Sequence, residues 1–408
     1  MKLPDGWNLE RLEELAKFSS GGTPSKEIEK FWQGTIPWIS ASTMHCQTIT
    51  TSDLFISEEG LNAGSKLAPI RSLLLLVRGS MLWKRVPVCI CLREVAFNQD
   101  VKSITAGRKI LPEFLLFWFL AHQKLLLSSV VGTGIGAGKL DFDELKSLKV
   151  AFPSLTEQKS IANILSTWDE AIEKTERLTQ AKEKQFKRYL NDLIHKGRSN
   201  KTWRSFNLEE LCDPISRKNA ENNTNVLTSS AKNGLVSQLE YYNKSVSAED
   251  VTGYYLLKKG DFAYNRSSAK GYPFGATKRL DRYEKGVLST LYLCFALKEK
   301  APCESDFLLY LFESGSLNRE LRAVCQEGAR SHGLLNITKS EFFGVKVFLP
   351  DVNQQKQIQS ALKALEYEIS LLRELAEKYK FQKRGLMQKL LTGQWRIKPE
   401  IINRFKEQ

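Results

Sequence analysis

Few residues of this chain could carry out chemistry, and their spacing fits no familiar catalytic motif. The glycine-rich segment GTGIGAGK at residues 132–139 suggests a phosphate-binding loop. A P-loop, however, requires Gly-x4-Gly-Lys followed by Ser or Thr, whereas five residues separate Gly132 from Gly138 here and Leu140 follows the lysine. Two interpretations stay open: a flexible loop, or a loop whose backbone amides and Lys139 contact DNA phosphate.

Other catalytic and metal-binding patterns are missing from the sequence. The four histidines, at positions 45, 122, 195 and 332, form no His-x3-His or Cys/His cluster that could bind a metal ion. Residues 212–215 (CDPI) come nearest to the Asp/Asn-Pro-Pro-aromatic site of adenine methyltransferases, but they lack the second proline and the aromatic residue. Nothing indicates a Ser-His-Asp site. We therefore expect no catalytic centre, no bound cofactor and no metal site in this chain.

Side chains suited to DNA recognition occur in several short segments. Arg can donate two hydrogen bonds to guanine, Asn and Gln can pair with adenine, and Lys can neutralise phosphate. The densest segment is residues 264–279, where glycine and proline separate basic and aromatic residues. Each segment could also be a surface turn or make a buried hydrogen bond. The candidate DNA-binding residues are Lys84, Arg85, Asn98, Gln99, Lys139, Lys232, Tyr264, Asn265, Arg266, Lys270, Tyr272, Lys278 and Arg330.

The charge of the chain agrees with a nucleic-acid partner but does not establish one. The 408 residues include 60 Lys and Arg against 46 Asp and Glu, a formal net charge of +14. Such a surface favours DNA or acidic lipid, and it can equally serve solubility. The longest apolar runs, residues 73–77 and 114–121, are far shorter than a membrane span. Seven irregularly spaced cysteines indicate reduced thiols, so we expect a cytoplasmic protein.

An internal repeat divides the chain into two halves with the same plan. The segment at residues 7–15 returns at residues 203–211, with the Trp in the same register and the LEEL sequence repeated. The segment at residues 153–161 returns in the same order at residues 350–358. Each half therefore comprises a larger mixed domain, a proline-marked boundary and a long helix.

Apolar positions after each proline recur in alternating steps of four and three residues, which is typical of a coiled-coil seam. The predicted helices start at Thr156 and Asn353 and stop at Gly197 and Gly393. The predicted seam positions are Ile161, Leu165, Trp168, Ile172, Thr175, Thr179, Lys182, Phe186, Tyr189 and Leu193, and then Ile358, Leu362, Leu365, Ile369, Leu372, Ala376 and Tyr379.

The charges along both helices predict their relative direction. The first helix is acidic over residues 169–176 and basic over 182–188, and the second is acidic over 366–377 and basic over 378–389. Antiparallel pairing sets the acidic part of each helix against the basic part of the other, whereas parallel pairing sets like against like. We predict an antiparallel pair. The alternative is that each charge run is only a solvated helix face.

The larger domains show short β-like runs, turn residues and helical stretches. The predicted fold class is therefore α/β (α+β), with two globular domains separated by two long helices that form an antiparallel coiled coil in a pseudo-twofold repeat. The predicted boundaries are 1–155 for the first domain, 156–200 for the first helix, 201–351 for the second domain, and 352–408 for the second helix and C-terminal tail.

Six segments in a fixed order resemble the specificity (S) subunits of type I restriction-modification systems, and the resemblance covers essentially the whole chain. The first segment adds Thr23 to the candidate DNA-binding residues. It has no copy in the second half, where CDPIS stands in its place, so the two domains are expected to recognise different sequences. The segments are SGGTPS at 20–25 with IPWIS at 36–40, AFNQDVKSI at 96–104, residues 262–292, PSLTEQKSI at 153–161, PDVNQQKQI at 350–358 and LMQKLLTGQWR at 386–396.

The resemblance implies a non-catalytic subunit of a DNA methylation and restriction complex for host defence. Each target recognition domain would recognise one half of a bipartite double-stranded DNA target, while the helices set the spacer and dock two methyltransferase (M) subunits. Restriction or motor (R) subunits would supply cleavage. S-adenosylmethionine, ATP and Mg would belong to the partner subunits. Two alternatives are a non-catalytic protein-interaction scaffold that uses the coiled coil, and a stand-alone nuclease or methyltransferase, which the missing motifs disfavour.

Overall fold

The computed structural model of the chain describes residues 3–134, 136–196, 202–230, 233–242, 250–269, 271–327, 335–398 and 400. The chain forms two compact units. The first comprises residues 1–176 and 374–408, and the second comprises residues 177–373. Each unit therefore contains one mixed globular body, the start of one long helix and the end of the other.

Two helices are much longer than the others. The first long helix is Leu155–Asn191, followed by a π-helical turn at Asp192–Lys196, and the second long helix is Val352–Leu391. Neither they nor any other helix among the described residues is long and apolar enough to cross a membrane. The shorter helices are Leu12–Leu15, Glu58–Gly64, Pro112–Ala121, Gln123–Ser128, Phe142–Ser147, Leu208–Leu211, Gln238–Tyr242, Ser305–Glu313, Asn318–Val324 and Lys339–Phe343, with 3-10 turns at Glu29–Trp32, Ala41–Thr43 and Ser80–Trp83.

The first unit is built around a five-stranded sheet. Its two central apolar runs, Leu73–Leu76 and Val88–Cys91, are buried throughout, because the unit's core covers them. In spatial order the strands are Ala16–Ser20, Val101–Ala106, Leu73–Leu76, Val88–Cys91 and Thr48–Ile49, and the last pair is parallel. Smaller sheets join Phe55–Ile56, Ile36–Ile39, Val95–Phe97 and Leu67–Ala68; Val130–Gly132, Gly138–Leu140 and Arg78–Gly79; and Asn8–Arg11 with Lys149–Phe152.

The second unit has a corresponding four-stranded sheet in which all neighbours are antiparallel. The sheets of both units are thus mainly antiparallel, which places the fold in the α+β form of the predicted class. In spatial order the strands are Cys212–Pro214, Leu293–Leu297, Phe262–Asn265 and Ala276–Arg279. Further pairs are Arg204–Asn207 with Lys346–Leu349, Leu227–Ser230 with Gly234–Ser237, Tyr255–Lys258 with Lys285–Leu288, and Gln326–Glu327 with Leu335–Asn336.

The sequence repeat is also a structural repeat. Each LEEL sequence forms a one-turn helix after an edge strand, and its two leucines are buried. In the first copy the Arg11 amide donates to Glu14 Oε2 at 2.9 Å, and in the second the Asn207 amide donates to Glu210 Oε2. The second glutamate of each copy therefore satisfies a backbone donor at the start of its own helix.

The first turn of the first long helix contains a completely buried glutamine, Gln158. Its Oε1 accepts a hydrogen bond from the Leu111 amide at 2.8 Å. Its Nε2 donates to the carbonyls of Lys109 and Pro153 at 3.0 and 2.9 Å. One side chain thus satisfies three backbone groups and ties the start of the helix to the globular body.

Gln355 does the same at the start of the second long helix. It is completely buried, and its Oε1 accepts from the Glu304 amide at 2.8 Å. Its Nε2 donates to the carbonyls of Pro302 and Pro350, each at 2.9 Å. The repeated glutamine of the P-x4-Q signal is therefore a structural residue in both units.

Antiparallel pairing of the long helices is confirmed inside the first unit. Lys380 Nζ lies 2.8 Å from Glu176 Oε1, and Lys383 forms an ion pair with Asp169. Lys383 is buried despite its charge, and its ammonium also lies 5.1 Å from the centre of the Phe117 ring. A lysine is therefore tolerated in the seam because a carboxylate and an aromatic face both neighbour it.

The second unit shows the same helix direction. Lys182 Nζ lies 2.8 Å from Glu368 Oε1, and Arg373 pairs with Glu183. These ion pairs link the basic part of the first long helix to the acidic part of the second, as the charge pattern predicts.

One seam position differs from the prediction. Tyr189 is half exposed, while Leu190 and Ile194 are buried in the core of the second unit. At this end the helix packs on the globular body with Phe186, Leu190 and Ile194 at steps of four, which is a wider face than a strict coiled-coil seam. The heptad pattern therefore could not be extended through the last turns of the helix.

The segment after the second long helix completes the first unit. Gly393 has φ +70°, as expected of a residue that ends a helix, and a Cβ added there would lie 2.4 Å from Pro4 Cγ. Arg396 donates through Nε and Nη2 to both carboxylate oxygens of Glu157 and through Nη1 to the Asp5 carbonyl, each at 2.8 Å. This segment adds Ile397 to the core of the first unit, next to Leu390 and Leu391 from the last turn of the helix.

Candidate nucleic-acid interface

Four strands of the first unit meet at one edge of the five-stranded sheet. Ser20 pairs with Lys102, and Leu76 pairs with Val101, so two strands end where a third begins. Leu75 pairs with Val88, so the fourth strand also begins there. We call this the first edge; it consists of loops 20–24, 77–87 and 97–100 together with the hairpin formed by strands 130–132 and 138–140.

All six candidates of the first half belong to these segments. Loop 20–24 contains Thr23, and Lys139 lies opposite Arg78 where the hairpin pairs with the start of loop 77–87. The sheet thus brings together residues that are up to 116 positions apart in the sequence. The other candidates at this edge are Lys84, Arg85, Asn98 and Gln99.

A direct hydrogen bond joins two of these loops. Thr23 Oγ1 donates to Gln99 Oε1 at 2.7 Å across 76 residues of sequence. Gln99 is exposed, and Thr23 is partly buried. The polar groups of the SGGTPS and NQD segments therefore form one surface feature.

The two glycines before Thr23 allow this close approach. A Cβ on Gly21 would lie 2.0 Å from the Phe97 carbonyl oxygen, and a Cβ on Gly22 would lie 2.1 Å from that of Gly64. The Gly22 amide donates to the Phe97 carbonyl at 2.9 Å, which pins the loop to the neighbouring chain. Any side chain at either position would push Thr23 away from Gln99.

Asn98 has mainly a backbone role in this structure. Its amide donates to the Ile39 carbonyl at 3.0 Å, and its carbonyl accepts from the Val101 amide at 3.3 Å. The residue is only 8% exposed, and within the described part of the chain its Oδ1 is buried without a hydrogen-bond partner. Gln99 is therefore the more accessible of the two amides.

The glycine-rich segment forms a hairpin rather than an open loop. Strands Val130–Gly132 and Gly138–Leu140 pair, and the exposed Trp83 donates from Nε1 to the Gly136 carbonyl at 3.0 Å. Arg85 Nη2 donates to the Met44 carbonyl at 3.0 Å, while Lys84 is exposed. Trp83 and Arg78 thus contact the hairpin, which contributes Lys139 itself, and the basic residues of this part of the edge give it a positive charge.

The second unit has an equivalent edge, with one turn at 288–292 and the described loop segments 265–269 and 271–275. Tyr264 pairs with Leu293, and Asn265 pairs with Ala276, so strands again end and begin together. The Tyr292 amide donates to the Ser289 carbonyl at 3.1 Å, like the Val101 amide to Asn98 in the first unit. We call this the second edge.

Arg266 is held in place at the second edge by two hydrogen bonds. Its Nε donates to the Leu291 carbonyl at 2.9 Å, and its own carbonyl accepts from the Leu335 amide at 2.7 Å. Asn265 Oδ1 accepts from the Ser267 amide at 3.1 Å, which stabilises the turn. A guanidinium held through Nε still has its paired Nη groups to offer to a base or a phosphate.

Tyr264, Tyr272 and Lys278 make contacts within the protein, in contrast to the prediction that they contact DNA. Tyr264 is completely buried, its hydroxyl donates to the Phe274 carbonyl at 2.7 Å, and burial raises its pKa. Lys278 is also buried, with Nζ 2.9 Å from Tyr272 Oη and in an ion pair with Glu313, to which Tyr272 donates at 2.6 Å. These three side chains therefore stabilise the pairing of strands Phe262–Asn265 and Ala276–Arg279.

Three further candidates, Lys232, Lys270 and Arg330, lie outside the described residues. Sequence reasoning missed Thr290, which occupies in the 288–292 turn the position of Gln99, and Arg78, which faces Lys139. The repeat could have pointed to Thr290, since both turns follow a buried strand and precede a strand of the main sheet.

Within the described part of the chain, no group of His, Cys, Asp and Glu residues could hold a metal ion. All seven cysteines are free. Burial raises the pKa of Cys89 and of Cys91 to about 12, so both thiols stay protonated at neutral pH and are poor nucleophiles.

Substituting Gly22 by Ala should damage the first edge. The new Cβ meets a backbone carbonyl, so the loop must move, and we expect a loss of stability of roughly 1–3 kcal/mol, the usual cost of overpacking. Thermal unfolding and limited proteolysis measure the effect. Gly134→Ala is the control because nothing lies within 4 Å of a Cβ there. Equal stability of both variants would contradict the packing argument.

The chain is similar to proteins of one known family. The family model described as "Type I restriction modification DNA specificity domain" matches residues 4–183 and again residues 200–379. The chain is 32% identical over 189 residues to the EcoR124I/EcoR124II specificity subunit of Escherichia coli, a match that covers 45% of this chain and 46% of the relative. It is 26% identical to the MjaVIII specificity subunit of Methanocaldococcus jannaschii, over 98% of this chain and 95% of the relative.

Solved structures share the fold. The type I restriction-modification S subunit from M. genitalium superposes with a TM-score of 0.54 at 14% identity, covering 96% of this chain and 98% of that one. A chain from a study of complex assembly and conformational transition of the type I restriction-modification system gives 0.56 at 15% identity, covering 96% and 99%. The role of the chain follows from the family model, which matches both halves, and from the specificity-subunit relatives: this non-catalytic DNA-recognition chain belongs to the family of type I restriction-modification specificity subunits.

Proposed function

We propose that the first and second edges each contact one half of a bipartite double-stranded DNA target. The observation that carries this proposal is the convergence of Thr23, Lys84, Gln99 and Lys139 from four separate segments on one sheet edge. An exposed amide beside lysines supplies both a group for base edges and charges for phosphate, which are the two kinds of contact that specific DNA binding combines.

The two halves of the target would differ in sequence. Where the first edge has Gln99, the second has Thr290, and the second edge adds the tethered Arg266. An arginine donates most specifically to guanine, whereas a threonine hydroxyl is both donor and acceptor. The repeat thus supplies one framework for two different recognition surfaces.

The long helices would set the spacing between the half-targets. In support, each helix continues from one unit into the other, and the helix pairing is antiparallel in both units. The buried glutamines Gln158 and Gln355 fix each helix to its own body, so a change in helix length has no flexible joint at these points to absorb it.

The same helices would dock two methyltransferase subunits. In the first unit, Phe381 is 74% exposed and lies beside Glu377 and Lys378, and in the second unit Tyr367 is 66% exposed. Burial of large exposed apolar side chains under another chain is favourable, so these residues are suitable contacts for a docked subunit. S-adenosylmethionine would bind to the methyltransferase subunits, and ATP and Mg to the restriction subunits, all in the cytoplasm.

The exposed apolar residues also fit a protein-interaction scaffold, which is the second candidate function. Capture on random duplex DNA with and without a co-expressed methyltransferase subunit separates the two. A scaffold would assemble with its partner and leave DNA binding unchanged.

Replacing Arg266 by Ala should weaken specific DNA binding by about 1–3 kcal/mol and relax the base preference at one position of one half-target. Arg266→Lys should restore little, because an ammonium cannot donate the paired hydrogen bonds of a guanidinium. Binding of the methyltransferase complex to selected duplexes measures both effects. Arg204→Ala is the control, since this exposed arginine lies on an edge strand outside the second edge. Unchanged affinity and preference would remove Arg266 from the site.

A seven-residue insertion in each long helix, after residues 176 and 373, should lengthen the spacer. Seven residues preserve the heptad phase and add about 10 Å, or about three base pairs of DNA. Mapping of methylated sites shows the distance between the half-targets. A seven-residue Gly-Ser insertion after the exposed Thr51 is the control. A spacer of unchanged length would refute the role of the helices.

Phe381→Glu should weaken assembly with the methyltransferase subunit at least about tenfold, because it would bury a carboxylate in an apolar contact. Analytical ultracentrifugation of the mixed subunits measures this. Leu239→Glu changes another apolar residue that is mostly exposed, at 59%, and lies outside the long helices, so it should leave assembly unchanged. Normal assembly of the Phe381 variant would place the docking surface elsewhere.

A further inference from the structure

We propose that Thr23 is a positioning residue that fixes the carboxamide of Gln99, so that the first edge presents amide donors and selects a base with an acceptor edge. This inference rests on the proposed function, in which the first edge contacts DNA. It goes further by naming the residue that sets the orientation and the class of base that follows from it.

The Gln99 carboxamide has one acceptor end and one donor end. Thr23 Oγ1 donates to the acceptor end, Oε1, at 2.7 Å, while the side chain of Gln99 remains exposed. This bond occupies one of the two lone pairs of Oε1 and turns that end of the carboxamide toward Thr23, so the end presented to a partner is the Nε2 amide group with its two hydrogens.

Both residues are held firmly enough to keep this orientation. Thr23 follows two glycines that pack against backbone carbonyls and precedes the buried Pro24. The indole of Trp38 adds a hydrogen bond from Nε1 to the Gly22 carbonyl at 3.1 Å. Threonine is also stiff about χ1 because its Cβ is branched.

Gln99 is anchored from the opposite side. The preceding residue, Asn98, is bonded through its amide to the Ile39 carbonyl at 3.0 Å and through its carbonyl to the Val101 amide at 3.3 Å. The tight turn that results holds the Cα of Gln99 at a fixed distance from Thr23. The backbones of both residues are therefore restrained, and the hydrogen bond between them mainly sets the orientation of the Gln99 carboxamide.

The orientation has a chemical consequence for base selection. A free glutamine recognises adenine by donating to N7 and accepting from N6. A glutamine whose oxygen is held toward Thr23 does not aim that oxygen at N6, but it can still donate through Nε2 to guanine O6 and N7 or to thymine O4. The first edge should therefore prefer guanine or thymine over adenine where Gln99 touches the DNA.

The test uses the complex with its methyltransferase subunits and selection from randomised duplex DNA. Gln99→Ala identifies the base position that this side chain contacts. Thr23→Val should then change the preference at that same position, admitting adenine with a loss of discrimination of roughly fivefold or more. Thr23→Ser keeps the hydroxyl and should retain the original preference.

Two controls are available: a matched threonine elsewhere in the same unit, and recognition of the second half-target. Thr51→Val makes the same chemical change at an exposed threonine of the same unit and should alter nothing. The second half-target reports on folding, because the second edge has Thr290 instead of Gln99 and no Thr23 equivalent to lose. If Thr23→Val also changes recognition of the second half-target, the fold of that variant is affected, and Thr23→Ala is used instead. Thr23→Ala must then admit adenine at the Gln99 position in the same way.

Two results would overturn the inference. One is a wild-type preference for adenine at the Gln99 position, and the other is an unchanged preference in both the Val and Ala variants. A complex that selects no sequence at all would instead refute the proposed function, so the two failures are distinguishable.

Discussion

Two buried carboxamides determine how each unit of this protein is organised. Gln158 and Gln355 each lie in the first turn of a long helix, and each hydrogen-bonds to three backbone groups. Because burial excludes water, these groups would otherwise lack a hydrogen-bond partner. An unpaired buried polar group costs about 1–3 kcal/mol, so neither side chain can leave its place cheaply. The direction in which each helix departs from its body is therefore fixed by a hydrogen-bond network rather than by apolar contact alone.

On this shared framework the two units differ where two arrangements of side chains can satisfy the same kind of group. In the first unit, Lys383 lies over Phe117 and pairs with Asp169. In the second, Tyr310 donates to Glu366 at 2.6 Å and packs near Phe186. A carboxylate on the helix is satisfied in both units, by a cation in one and by a hydroxyl in the other. The two sheet edges differ in a similar way, because Gln99 of the first edge is replaced by Thr290 in the second, so an amide is exchanged for a hydroxyl.

The sequence alone predicts those features that repeat or follow a period. The two long helices and their antiparallel direction have local signals of this kind, and the structure confirms them. Burial of Tyr264 and Lys278 had no such signal, because it depends on Glu313 and Phe274, which meet them only after the strands pair. The hydrogen bond between Thr23 and Gln99 was likewise beyond sequence reasoning, although both residues were candidates. Its formation requires the strand register that places Ser20 opposite Lys102.

The closure of the first unit by Gly393 and Arg396 has a consequence for the order of folding. Chain synthesis proceeds from the N-terminus, and the second unit is one continuous stretch, whereas the first is assembled from segments nearly 400 residues apart. The ribosome therefore releases every part of the second unit before the last part of the first. Until then Trp7 and Pro4 lack the residues near Gly393 that pack against them. Contacts between residues so far apart in the sequence also form slowly. The amino-terminal body, although made first, is the last to be finished.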